Sequence, residues 1–234
     1  MHNLVIFIAG IFLLFAFLRF YFKPPLAWAG ASLYSVNLLT PHVTGWIAAR
    51  GDLYLMLFGL GFLTLLQQYF KSGAVKNLWY AVPLFFLALL SKESAVALLP
   101  IALVMLYAEK KRLPVAAEWI WIGINGIAFA AYYAMRKPAI ADAGNLSVTA
   151  FFSNLRSLPE EFFKMIIPYG FSVMPGYSWI STIAGVMLLG LLLYLVRIIK
   201  PDMRIVMTGA AIILASLLPS MAYEPSFAGV AYDY

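Results

Sequence analysis

Two groups of charged residues interrupt long apolar stretches of this chain, and their types suit the binding of an anion. Arg50-Gly51-Asp52 precedes one apolar run, and Lys92-Glu93 separates two others. Arg presents a planar fork of N–H donors that matches a phosphate, and Lys presents a point charge. A charge close to hydrocarbon is costly unless it is paired or hydrated. These residues therefore predict either a site for an anionic head group or a structural network of ion pairs.

The partners of these charges can be anticipated from helix geometry. Adjacent residues on a helix do not face each other, so Lys92 and Glu93 are expected to pair elsewhere, with Arg50 and Asp52 as the nearest candidates. In the functional interpretation Arg50 and Lys92 bind the anion, while Asp52 and Glu93 orient them or accept hydroxyl protons. His42 falls near the same face and is a further candidate for substrate binding, although a lone His there is more often interfacial than a base.

The composition excludes several classes of protein. Of 234 residues, 64% are hydrophobic and 11% are charged, with a mean hydropathy of +0.89. A soluble domain is about half apolar and about a quarter charged, so this chain is predicted to lie in a membrane. The net charge of +6 then reflects loops held on the cytoplasmic side rather than a nucleic-acid partner. With no Cys, disulfides and thiolate metal sites are excluded.

The uncharged runs predict the fold. A hydrocarbon core of about 30 Å needs about 20 apolar residues per helix. The chain supplies about eight apolar runs, of which 77–91 and 94–108 are short for a full span. The prediction is an all-α, polytopic transmembrane helix bundle that forms a single domain over residues 1–234. The predicted membrane helices are residues 3–22, 25–40, 53–70, 77–91, 94–108, 116–135, 178–197 and 205–223.

One loop, residues 136–177, is long and is predicted to be external. Within it, Ser157-Leu158-Pro159-Glu160 is typical of a helix start, with Ser as the cap and Pro in the first turn. The apolar and charged residues that follow predict an amphipathic helix at the membrane interface. This helix would either seal the bundle or shape a substrate groove.

The distribution of Lys and Arg predicts the orientation. Most of the 16 basic residues fall on one side of the predicted bundle, which the positive-inside rule makes cytoplasmic. Arg50 and Lys92 then face the external, periplasmic side of a plasma (inner) membrane, and both termini are external. The first apolar run lacks a basic n-region and a cleavage site, so it is not a signal peptide. We expect at least one helix and an external loop to precede Met1.

Four stretches in order resemble the GT-C superfamily of multi-pass membrane glycosyltransferases, especially the branch that includes the tetratricopeptide-linked O-mannosyltransferases. The Lys-Glu turn is the most specific of them. The stretches are His2-Asn3-Leu4, Trp46-Ile47-Ala48-Ala49-Arg50-Gly51-Asp52-Leu53, Leu89-Leu90-Ser91-Lys92-Glu93-Ser94 and Ile167-Pro168-Tyr169-Gly170-Phe171-Ser172. The chain departs from the family pattern between Thr40 and Arg50, where Pro41-His42 is in reversed order and the usual Glu is absent.

The resemblance implies a glycosyltransferase that moves a sugar from a polyprenyl-phosphate-linked donor to an unidentified acceptor at the external face. The partners would be this donor and membrane lipid. The family's presumed catalytic acid lies in a loop before the stretch that starts this chain, so no catalytic residue is assigned, and a fragment lacking the first helix and loop is expected. No cofactor is identified, and no residue pattern supports a divalent metal.

Two other functions use the same external cations. A transporter or flippase of a lipid-linked or anionic substrate would also need polar groups at mid-membrane, and the helix interiors offer few besides Gln67, Gln68 and Asn125. The remaining alternative is a non-catalytic membrane subunit or an inactive fragment of an enzyme.

Overall fold

The structure, a computed structural model, describes residues 2–36, 50–136, 148–166 and 179–221, and these ranges contain helices and no strand. The predicted all-α class is confirmed. The helices are α1 (His2–Leu18), α2 (Pro24–Ser35), α3 (Arg50–Ser72), α4 (Lys76–Ser91), α5 (Leu98–Lys110), α6 (Ala116–Arg136), α7 (Val148–Asn154), α8 (Leu158–Ile166), α9 (Trp179–Ile199) and α10 (Met203–Met221). Short 3₁₀ helices cover Glu93–Ala97 and Leu155–Ser157.

The chain divides into two compact units, Met1–Ala139 and Ile140–Tyr234. Helices α1 to α6 belong to the first unit, and α7 to α10 belong to the second. Each predicted helix has a counterpart in the described ranges, whereas α7 was not predicted.

The largest boundary differences occur at turns. Helix α1 ends at Leu18 rather than at residue 22, and residues 19–22 form a turn in which the Phe22 N–H donates to the Leu18 carbonyl oxygen over 2.9 Å. Pro24 then opens α2, where a residue without an N–H is tolerated. Helix α3 begins at Arg50, earlier than predicted, and this places Asp52 in the first turn, where the helix dipole favours a carboxylate.

Two of the described helices, α3 and α9, are long and apolar enough to cross a membrane. Helices α1 and α4 and the segment Met203–Leu217 of α10 are apolar but shorter. Helix α9 leaves most of its apolar side chains exposed, among them Ile180 and Leu193. A lipid environment would cover such a surface.

Helix α3 is the centre of the first unit and packs against α1, α4 and α5, while α6 packs against α4. In the core, the Phe62 ring of α3 lies 5.7 Å from the Phe85 ring and 5.8 Å from the Trp121 ring, measured between centroids. Trp121 and Tyr69 are buried. Trp121 stacks on Phe62 of α3 and Tyr69 bonds to Glu118 of α6, so neighbouring helices cover both side chains.

Successive helices of the first unit run in opposite directions, so two sets of helix ends are formed. The starts of α1 and α3 meet the ends of α4 and α6, and we call this region the Arg50 end; it contains His2, Asn3, Arg50, Asp52, Tyr54, Lys92, Glu93, Tyr132 and Arg136. The other set, the Glu118 end, contains Phe20, Tyr21, Gln67, Tyr69, Phe70, Lys71, Lys110, Arg112 and Glu118. The predicted separation of the charges into two groups is confirmed for these residues.

In the second unit α8 packs against α9, and α10 contacts α7 and α8. The predicted helix start after Ser157 is confirmed, because α8 begins at Leu158. The Ser157 hydroxyl donates to the Asn154 carbonyl oxygen over 2.7 Å, and Phe162 and Glu160 are buried. The rest of the predicted loop 136–177 lies largely outside the described residues.

Candidate functional site

Lys92 and Asp52 form an ion pair that joins the end of α4 to the first turn of α3. Helix α4 ends because Lys92 adopts an extended conformation, with φ −159° and ψ 138°, while its N–H still donates to the Ala88 carbonyl oxygen over 3.0 Å. Both side chains remain partly exposed, at 41% for Lys92 and 45% for Asp52. The predicted pairing of Lys92 with Asp52 is confirmed.

The close approach of α3 to α4 depends on Gly51. A Cβ atom at this position would lie 2.8 Å from the carbonyl oxygen of Ser91, closer than side-chain carbons pack. The absence of a side chain therefore lets the first turn of α3 rest against the end of α4, and this contact brings Asp52 within reach of Lys92.

Arg50 is held differently from Lys92. Its Nε donates to Oδ1 of Asn3 over 3.1 Å, and Asn3 is a buried residue of α1. Arg50 is exposed, and it has no carboxylate partner among the residues that the structure describes. An amide oxygen fixes one edge of the guanidinium without neutralising it, so the Nη groups keep their charge and their donors.

Glu93 pairs with Arg136 rather than with Arg50 or Asp52, so this part of the prediction is wrong. Nη1 of Arg136 lies 2.6 Å from Oε2 of Glu93, and this hydrogen bond keeps the pKa of Glu93 below its usual value. Arg136 is the last residue of α6. The packing of α6 against α4 supplies this partner, and the sequence did not indicate that contact.

Sequence reasoning did not select His2 and Tyr54 for the site. His2 Nε2 and the Tyr54 hydroxyl are 2.8 Å apart. Tyr54 follows Arg50 by four residues, so both side chains lie on one face of α3. They meet two consecutive residues of α1, because Arg50 contacts Asn3 and Tyr54 contacts His2. The four-residue spacing of Arg50 and Tyr54 is the sequence feature that could have indicated Tyr54 as a site residue.

Among the described residues of the Arg50 end, the charges do not cancel. Three cations, Arg50, Lys92 and Arg136, face two carboxylates, Asp52 and Glu93, and each carboxylate is paired with a cation other than Arg50. Within this set, the positive charge without a carboxylate partner is that of Arg50. Arg50 and Lys92, the two predicted anion-binding residues, lie at the same end of the unit.

His42, the remaining predicted site residue, lies outside the described residues. In the part of the chain that the structure describes, no group of three or more His, Asp or Glu side chains is arranged to hold a metal ion.

Glu118, at the opposite end, is a buried carboxylate that the sequence did not single out. It accepts hydrogen bonds from the Tyr69 hydroxyl (2.6 Å), the Val115 N–H (2.8 Å) and Nη1 and Nη2 of Arg112 (2.8 and 3.0 Å). These donors saturate the carboxylate. This cluster is a structural tie between α3, α6 and the segment before α6, in contrast to the incompletely paired Arg50 end.

Comparison of the chain with protein-family models, with curated proteins and with solved structures found no match.

Proposed function

We propose that this protein is a polytopic membrane glycosyltransferase of about eight membrane helices, which binds a polyprenyl-phosphate-linked sugar at its external face and transfers the sugar to an acceptor. The observation that carries the proposal is the state of Arg50: an exposed guanidinium, oriented by Asn3 and not neutralised by a carboxylate among the described residues. A phosphate diester carries one negative charge and two free oxygens, which suits Nη groups that no carboxylate among the described residues occupies.

The transfer reaction increases the charge on the phosphate. The acceptor hydroxyl oxygen forms a bond to the anomeric carbon, the bond between that carbon and the phosphate oxygen breaks, and the acceptor proton passes to a base. The diester becomes a monoester, so the leaving group gains one negative charge. A cation that is already in place stabilises this charge without reorganisation, and this is the role proposed for Arg50.

Lys92, in the turn after α4, would help to stabilise the same negative charge on the phosphate. Asp52 holds the Lys92 ammonium at the start of α3, close to Arg50 in the chain, and an incoming phosphate would share that ammonium with Asp52. Arg136 binds Glu93 and so offsets a carboxylate that would otherwise repel the phosphate. In this arrangement Asp52 and Glu93 position cations and do not act on the sugar.

The proposed membrane setting rests on helix length and exposed apolar surface. Helix α3 has 23 residues and α9 has 21, and at about 1.5 Å per residue both exceed or match the hydrocarbon thickness of about 30 Å. The Arg50 end would face outwards, because further basic residues, Arg19, Lys23, Lys76 and Lys111, lie next to the helix ends on the Glu118 side.

Binding of a simple phosphodiester tests the central claim. The probe is farnesyl methyl phosphate, which has one negative charge and an isoprenoid chain, and its affinity for the detergent-purified protein is measured by calorimetry. We expect Arg50→Ala to weaken binding by about 10- to 100-fold, in keeping with the loss of a charged hydrogen-bond donor, and Lys92→Ala to weaken it less. Lys76→Ala, an exposed cation at the other end of α4, is the matched control.

Transfer of radiolabelled sugar from polyprenyl-phosphate donors in membranes then tests the reaction. We expect Arg50→Ala and Lys92→Ala to abolish transfer while the protein still inserts in the membrane. Unchanged binding and transfer in both variants would refute the phosphate-binding role. Binding without transfer by any donor tried would leave an anion-binding membrane protein and overturn the enzyme proposal.

The proposed orientation has its own test, because the chain contains no Cys. Ser91→Cys places a single thiol beside Lys92, and Ser72→Cys places one at the Glu118 end. In intact cells a membrane-impermeant maleimide should label the first variant and leave the second unlabelled until the membrane is permeabilised. The reverse pattern would put the Arg50 end on the cytoplasmic side.

A further inference from the structure

A continuous seam of polar side chains joins α1 to α3 beside Arg50. His2 and Asn3 are consecutive in α1, and they contact Tyr54 and Arg50, which are one helical turn apart in α3. The four residues from Arg50 to Tyr54 rise about 6 Å along the helix axis, comparable to the span of a phosphate and its first substituent. The hydrogen bond between His2 and Tyr54 therefore lies about one turn along α3 from Arg50.

Packing below the seam fixes its geometry. Ile6, Phe7 and Leu53 form a buried cluster between α1 and α3, and Tyr54 packs against it. The Tyr54 ring also stacks on Phe58, with centroids 5.8 Å apart and planes 8° from parallel. The Tyr54 hydroxyl is consequently held towards His2, whose own side chain is exposed.

We propose that His2 and Tyr54 form the second half of the Arg50 site, a hydrogen-bonding pair that contacts the same phosphate and strengthens its binding when His2 is protonated. This inference rests on the proposed binding of a phosphate at Arg50. It adds two residues to the site, and it makes phosphate binding depend on pH.

The two protonation states of His2 present different donors. In neutral His2 the Tyr54 O–H can donate to Nε2, which leaves Nδ1–H as the one donor of the pair. In the protonated imidazole both ring nitrogens donate, Tyr54 accepts from Nε2, and its own O–H is released towards a ligand. A proton taken from solvent thus adds one positive charge and one hydroxyl donor to the site.

The other charged groups near the seam lie on α3 and at the end of α4. Arg50 is held by Asn3, and Asp52 is paired with Lys92. A further titratable residue, Tyr34, lies near the C-terminal end of α2. A bound phosphate would add a negative charge next to His2, so binding and protonation would reinforce each other.

The test compares affinities for farnesyl methyl phosphate at pH 5.5 and pH 8, a range across which imidazole titrates and the diester probe does not. For the unaltered protein we expect binding to be about tenfold tighter at pH 5.5. The His2→Gln side chain can still hydrogen-bond Tyr54 but cannot be protonated. For this variant we expect the ratio of the affinity at pH 5.5 to that at pH 8 to be close to one. Tyr54→Phe should keep the added charge and lose the hydroxyl donor, giving a ratio of about three.

A direct contact can be seen by NMR, since the chain has two His residues. In a His42→Gln variant the ¹⁵N signals of the imidazole belong to His2 alone, and the probe should shift them in the protein with Arg50 and not in Arg50→Ala. Circular dichroism of His2→Gln, expected to be unchanged, separates a binding effect from misfolding.

The outcomes distinguish this inference from the function on which it rests. If His2→Gln shows the same pH dependence as the unaltered protein while Arg50→Ala still loses binding, the role of His2 is refuted and the phosphate site at Arg50 stands. If Arg50→Ala binds the probe as well as the unaltered protein does, both proposals fail.

Discussion

Nη1 of Arg136 lies 2.6 Å from Oε2 of Glu93, so the last residue of α6 is tied to the turn that follows α4. The same Nη1 donates to the hydroxyl of Tyr132, one turn earlier in α6, over 2.6 Å. The Arg136 side chain is 28% exposed and that of Glu93 is 52% exposed. This pair joins α6 to the turn after α4, and its electrostatics can be tested through pH.

Glu93→Gln should lower stability at neutral pH by about 0.5 kcal/mol, as expected for a partly exposed ion pair. The pKa of Glu93 is held below its ordinary value of 4.5 by the hydrogen bond from Arg136. The contribution is therefore complete above pH 4.5 and is lost as the pH falls through the lowered pKa. Thermal unfolding of both proteins in detergent, measured from pH 3 to pH 7, should show two curves that converge in acid.

Arg136→Gln provides the matched variant for this prediction, because it removes the other half of the same pair. Both variants should lose a similar amount of stability at neutral pH. The double variant should be little less stable than either single variant. A difference between Glu93→Gln and the unaltered protein that stays constant down to pH 3 would contradict the proposed tie.

Gly51→Ala should destabilise the first unit by about 1–3 kcal/mol, because the new methyl group would meet the Ser91 carbonyl oxygen at 2.8 Å and force α3 away from α4. Gly123→Ala on α6 is the control, since a Cβ there has nothing within 4 Å. The midpoint of thermal unfolding should fall for the first variant and stay constant or rise slightly for the second. Equal midpoints would mean that the close approach at Gly51 is not needed.

Glu118→Ala should be more damaging than the loss of a single charged side chain at the Arg50 end, at about 2–3 kcal/mol. The change leaves the Tyr69 hydroxyl and the Val115 N–H without their acceptor and frees the Arg112 guanidinium. Chemical unfolding in detergent measures the loss. Lys76→Ala, an exposed cation at the start of α4, should change stability by less than about 0.5 kcal/mol. A similar loss in both variants would contradict the structural role of Glu118.

Gly185→Ala should separate α8 from α9 in the second unit. A Cβ at Gly185 would lie 1.9 Å from the carbonyl oxygen of Pro159, and a backbone atom cannot move aside as a flexible side chain can. Hydrogen exchange measured by mass spectrometry should show faster exchange of the α8 amides. Gly190→Ala in the same helix, with nothing within 4 Å of its Cβ, should leave those amides unchanged. Unchanged exchange in both variants would rule out this contact.

The sequence by itself determined the helices and the separation of the charges. Apolar runs of helical length gave α1 to α6, α9 and α10, and the start signal Ser157 to Glu160 gave α8. These features are local, because they depend on hydrophobicity and on capping preferences within one or two turns. Helix starts and ends near charges were less well predicted, as at Arg50, since neighbouring helices decide how far a helix extends.

The tertiary structure decided which of the candidate charges meet. Lys92 and Asp52 are forty residues apart, and their pairing depends on the approach of α3 to Ser91 that Gly51 allows. Glu93 takes its partner from α6, and Arg50 takes an uncharged one from α1, so no carboxylate among the described residues offsets the charge of Arg50. Pairing depends on the packing of side chains distant in sequence, and hydrophobic periodicity within each helix does not encode that packing.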